Sequence, residues 1–153
     1  MTRRQSVPRQ WLVIAERSKG CAAGAINQLP LGSGVLITAG AGRLSLKLRL
    51  AARRRKLRIV DEQQGAASRV HDPAEIRQAR LRHARMLLLS PMFPTGSHPD
   101  WKPLPRMRAA ALTRLCGTVV IALGGMDARR FRRIRRLGFH GWAGIDAWTR
   151  RNS

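Results

Sequence analysis

Apolar residues recur along this chain in short runs separated by amphipathic stretches. Trp11-Leu12-Val13-Ile14-Ala15, Gly34-Val35-Leu36-Ile37-Thr38, Leu57-Arg58-Ile59-Val60, Met86-Leu87-Leu88-Leu89 and Thr118 to Leu123 are too brief for helices and rich in strand formers. Gly141 to Trp148 supplies a last strand with a short closing helix. Between the runs, helices are predicted over 21–29, over 43–56 and from Pro73 onward, over 104–115, and from Asp127 until Gly138 stops the last of them. Ser18-Lys19-Gly20 reads as a break after the first strand. The start at Asp72-Pro73-Ala74-Glu75 is well marked: Asp72 can cap, Pro73 suits the first helical position and Glu75 completes a capping box. Fully apolar strands alternating with amphipathic helices imply βα units and a parallel sheet covered on both faces, hence an α/β fold.

Length and charge sharpen this. At 153 residues the chain suits one domain, taken as 1–153. An apolar content of 44% excludes a basic disordered tail. Thirty Lys and Arg against 8 Asp and Glu give +22, a field that favours anionic partners. The run Arg129 to Arg136 interleaves with Phe131, Ile134 and Leu137, so those arginines read as the solvated faces of a docked helix. Without an RNP-type strand, zinc finger or aromatic platform, a specific nucleic-acid module is the lesser reading. Cys21 and Cys116 form no CxxC pair, which argues against structural metal and disulfide scaffolds. The basic head and its short apolar run, residues 1–16, match neither a secretory leader nor a membrane span, so a soluble cytoplasmic protein without a membrane partner is expected.

Candidate chemistry clusters after the strands, where parallel α/β sheets bind ligands. Gly124-Gly125-Met126-Asp127 joins a buried strand to a helix start, where backbone N–H groups can close on a phosphate; the same glycines also suit a turn needing positive φ. Loop 90–99 offers Thr95 and Ser97 hydroxyls with His98 on a proline-stiffened segment. Gly144 and Ile145 add two backbone donors after the last strand.

Together these segments resemble the thiamine phosphate synthase and thiazole tautomerase superfamily of TIM barrels. The likeness lies in their order: Val70-His71-Asp72 as the end of the family's fifth strand, LLLSPMFPTGSHP (87–99) as its sixth strand and loop, VIALGGM (120–126) as its seventh and GWAGIDA (141–147) as its eighth. The runs at 11–16, 34–39 and 57–62 would be strands one to three. By this resemblance Gly124, Gly125, Gly144 and Ile145 hold a thiazole phosphate, Thr95 and Ser97 complete that site, and His98 stands where relatives place a Lys on the diphosphate of a pyrimidine partner. His71 would be an acid or base, as in the tautomerase branch, and Asp61 would match a magnesium aspartate.

The resemblance also exposes departures. Between Asp61 and Val70 there is no room for a fourth strand and its helices, so the expected fold is a TIM-barrel-like (β/α) fold short of one βα unit. The family's second magnesium aspartate has no counterpart, nor do the glutamine and arginine that relatives carry after strand two. An incomplete barrel presents open strand edges, which would suit a second chain and a homo-oligomer.

Overall fold

The computed structural model describes residues 6–149; the remainder of the expected 1–153 domain, including most of the basic head, lies outside the described residues. Seven strands alternate with five helices: β1 (Gln10–Ile14), α1 (Ala22–Gln28), β2 (Gly34–Ile37), α2 (Leu46–Arg54), β3 (Arg58–Asp61), β4 (Ala67–Val70), α3 (Pro73–Leu81), β5 (Met86–Leu89), α4 (Arg106–Cys116), β6 (Val119–Ala122), α5 (Ala128–Ile134) and β7 (Gly141–Gly144). Every pairing is parallel and the strand order is β3-β2-β1-β7-β6-β5-β4. The first strand therefore pairs with the last, and the sheet curls into a nearly closed TIM-barrel-like fold.

The opening lies between β3 and β4, where the sequence lacks a βα unit. Residues 62–66 pass directly from one to the other, beginning with a 3-10 turn, Glu62–Gln64. No crossover helix is needed because these two strands do not pair.

The continuous apolar runs are explained by burial on both faces. Trp11, Val13, Leu36, Ala67, Met86, Leu88, Ile121 and Ala143 fill the barrel interior. Their neighbours along the strands point outward. Leu12, Ile14, Val35 and Ile37 meet α1 and α2, while Leu87, Leu89, Val120 and Trp142 meet α3, α4 and α5. Trp11 is fully buried, and its ring lies where a side chain at Gly34 would stand, at 2.1 Å from an added Cβ.

Several predicted boundaries shift for local reasons. The expected break at 18–20 is a 3-10 helix, Glu16–Cys21, because the Ser18 hydroxyl bonds back to the Ala15 N–H and carbonyl. The helix predicted over 104–115 starts at Arg106, immediately after Pro105, which cannot donate to the preceding turn. Asp72 does cap α3, accepting from Glu75 N at 2.9 Å. Glu75 does not close the capping box: its carboxylate accepts from the N–H of His71, one residue earlier, at 2.6 Å. The last segment divides into β7 and a 3-10 turn, Asp146–Trp148.

Candidate functional site

A cavity of about 760 Å³ opens at the C-terminal ends of the strands. Eight of the nine residues singled out in the sequence line it. They are His71 after β4; Thr95, Ser97 and His98 after β5; Gly124 and Gly125 after β6; and Gly144 and Ile145 at the end of β7. Convergence of these four loops follows from the parallel topology, which places every strand's C-terminus on one rim.

The glycine loop is fixed by its neighbours. Gly124 and Gly125 have φ of 92° and 60°, and the 91–94 backbone crowds them: an added Cβ would lie 2.8 Å from Pro91 Cα at Gly124 and 2.3 Å from the Pro94 carbonyl oxygen at Gly125. Met92 N donates to Leu123 O and Phe93 N to Gly124 O, so loop 90–99 continues the β5–β6 pairing beyond the strands. Asp127 then caps α5 through Arg130 N at 2.7 Å. Thr95 and Ser97 form a tight turn in which the Thr95 hydroxyl accepts from Ser97 N at 3.3 Å.

The two histidines share one aromatic partner that sequence reasoning missed. His98 stacks on Trp101 with centroids 4.3 Å apart, and His71 meets the same indole edge-on at 5.0 Å. His71 Nδ1 lies 2.8 Å from Glu75 Oε2. Trp101 lies only a few residues beyond the SHP segment, but a lone tryptophan in a loop carries no periodicity to mark it.

Two arginines were also missed. Arg130 lines the cavity, donates to the Gly125 carbonyl, lies 3.9 Å from Asp127 and packs over Phe93 at 5.3 Å. It braces the glycine loop, whereas the run Arg129–Arg136 reads in sequence as uniformly solvated. Arg69 shares the parity of Ala67, an interior residue, and parity along β4 was the available signal. Its guanidinium is held by Glu62 at 2.7 and 3.1 Å. Setting the histidines aside, the lining carries Glu16, Asp127 and Asp146 against Arg17, Arg69 and Arg130, so its ionisable side chains balance within a chain of net +22.

Asp61 does not line the cavity. Its Oδ1 accepts from Gln63 N at 2.9 Å, capping the turn after β3. Among the described residues, no three His, Cys, Asp or Glu side chains come together to hold a metal.

This architecture has counterparts among solved structures. Thiamine phosphate pyrophosphorylase from Pyrococcus furiosus superposes with a TM-score of 0.67 at 14% identity, covering 91% of this chain and 86% of that one. A structure described as native KDPGal gives 0.61 at 13% identity, covering 94% and 85%. A cube-shaped, highly porous cage designed by fusing symmetric oligomeric domains gives 0.62 at 13%, covering 97% and 67%. At these identities the likeness concerns the fold. No helix among the described residues is long and apolar enough to cross a membrane. No curated protein matches the chain in sequence. A family model described as thiamine monophosphate synthase does match, over residues 51–148, a span that contains all four rim loops. With the barrel and its rim in place, that match settles the lineage: the chain belongs to the thiamine monophosphate synthase family.

Proposed function

We propose that the cavity binds a thiazole phosphate, with the phosphate on the Gly124-Gly125 and Gly144-Ile145 backbone beside Thr95 and Ser97, and the ring toward His71 and His98. The observation that carries this reading is the convergence of those segments on one cavity. Its size, about 760 Å³, is in the range of small-ligand pockets. The reaction proposed is the family's coupling. A pyrimidine diphosphate loses diphosphate as its exocyclic carbon–oxygen bond breaks, and the thiazole nitrogen bonds to that carbon. His98 lies on the side proposed for the diphosphate. No step is assigned to magnesium, whose ligands in such a complex would include the oxygens of the diphosphate itself.

A second reading, relocation of a proton on the thiazole ring, is favoured by the contact between His71 and Glu75 at 2.8 Å. A neutral imidazole held by a carboxylate is suited to accept and return a proton.

The deciding assay supplies pyrimidine diphosphate, thiazole phosphate and magnesium to folded protein, and looks for thiamine phosphate and released diphosphate. Turnover is expected. No turnover overturns the coupling reaction; thiazole phosphate binding that persists in that case, and is lost in Gly125→Asp, leaves the second reading standing.

A further inference from the structure

His71 lines the cavity, whereas Glu75, on the first turn of α3, does not. One carboxylate oxygen, Glu75 Oε2, meets the His71 backbone N–H at 2.6 Å and ring Nδ1 at 2.8 Å. A carboxylate accepts hydrogen bonds and does not donate them, so Nδ1 must carry the proton. The neutral ring then keeps its lone pair on Nε2, which has no hydrogen-bond partner among the described residues. Trp101 fixes the ring from another direction, at 5.0 Å and an interplanar angle of 84°, and is itself held by the His98 stack. Two contacts to one oxygen restrain both the backbone and the ring of His71, as a helix cap alone would not require. Asp72 already supplies the cap.

We infer that Glu75 is a positioning residue that holds His71 in the Nδ1–H form, leaving Nε2 as the nitrogen able to exchange a proton with a ligand in the cavity. This deepens the reading of the cavity as a ligand site and rests on it only for the identity of the ligand. In the step that follows, a ring C–H or N–H bond of the ligand breaks and an N–H bond forms at Nε2. The imidazolium sits against the Glu75 carboxylate, and the proton returns to another ligand atom, leaving His71 neutral. Neither oxidant nor reductant is involved.

The test uses the full chain with ¹⁵N-labelled histidine, with long-range proton–nitrogen spectra recorded at about pH 8, where an ordinary imidazole is neutral. His71→Gln assigns the signal. The expected result is an Nδ1–H pattern in the wild type that shifts toward Nε2–H in Glu75→Ala, while the thermal melt shows a folded protein. An Nε2–H pattern in the wild type, or Nδ1–H alone persisting in Glu75→Ala, would overturn the inference. Should that variant fail to fold, Glu75→Gln keeps one carbonyl oxygen able to accept both contacts and is expected to retain the Nδ1–H pattern; an Nε2–H pattern alone in that variant would overturn the inference. Carbethoxylation of His71 with diethyl pyrocarbonate, with and without thiazole phosphate, tests the ligand separately. Loss of modification supports the thiazole reading, whereas unchanged modification beside an Nδ1–H wild type refutes that reading and leaves the role of Glu75 intact.

Discussion

Glu62 and Arg69 clasp each other across the segment where the barrel is open, with Arg69 Nε 2.7 Å from one carboxylate oxygen and its terminal nitrogen 3.1 Å from the other. Glu62 also accepts from Ala39 N at 3.0 Å, and Gln63 donates to the Ala39 carbonyl at 2.9 Å. The ends of β2, β3 and β4 are thus tied together where a further strand would otherwise join them. The clasp also steadies Arg69 on the cavity wall.

Glu62→Ala should therefore destabilise the fold by about 1–2 kcal/mol, chiefly through the lost bond to the Ala39 N–H and the freed Arg69. Arg69→Ala should cost less, about 0.5 kcal/mol, because its side chain is 43% exposed and solvent screens the pair. Urea midpoints measure both. Hydrogen exchange should locate the loosening in residues 62–70; equal costs for the two substitutions would contradict this account.

Gly125→Ala should be costly in both stability and binding. The position combines φ of 60° with a Pro94 carbonyl oxygen 2.3 Å from the added Cβ, and backbone cannot swing aside as a flexible side chain can. A loss of about 1–3 kcal/mol is expected, with calorimetric binding of thiazole phosphate reduced at least about tenfold. Gly96→Ala is the control: it has no neighbour within 4 Å and no positive φ, so its melting curve should scarcely move.

The contrast between those glycines shows what can be read from sequence. Strands β1, β2, β5, β6 and β7 were visible because they are buried on both faces, which removes polar residues from runs such as Leu87-Leu88-Leu89, whereas β3 and β4, beside the opening, keep exposed arginines. The rim loops were visible because positive φ and backbone crowding demand glycine at 124 and 125, and the strands deliver their ends to one rim. Trp101 was not, because its partners His71 and His98 lie on different loops and meet only after folding. Asp61 illustrates the converse. A carboxylate at a strand end has the sequence appearance of a site group, yet its bond to Gln63 N is ordinary turn chemistry. Glu75 satisfied a capping pattern in sequence, but its reach to His71 depends on how the chain enters α3.

The charge of +22 should produce weak, salt-labile binding to nucleic acid. Exposed arginines are distributed over α2 (Arg49, Arg53, Arg54), α3 (Arg77, Arg80) and α5 (Arg129, Arg132, Arg133), helices on different sides of the barrel. Such a spread gives attraction without a reading surface. Duplex DNA retained at low salt should be released by about 0.3 M sodium chloride in a filter or anisotropy assay. Retention at that concentration would require a specific interface.

Cys116 supplies a pH-dependent test of the outer core. It packs fully buried among Leu112, Ala109 and Val120. Burial pushes its thiol up from 9.0 to about 11, an effect that the nearby Arg80 guanidinium partly opposes. At about pH 8, iodoacetamide should label exposed Cys21 in the native protein and reach Cys116 only after unfolding. The linkage has a definite sign. A thiol kept neutral by the fold contributes stability that is fully present below pH 9.0 and is lost as pH rises toward about 11, because the unfolded chain releases the proton first. Urea midpoints of the wild type should accordingly fall across that window more steeply than those of Cys116→Ala, which has no thiol to ionise. Parallel pH profiles for the two proteins would show that the thiol is solvated in the folded state, and the packing of α4 against β6 would need revision.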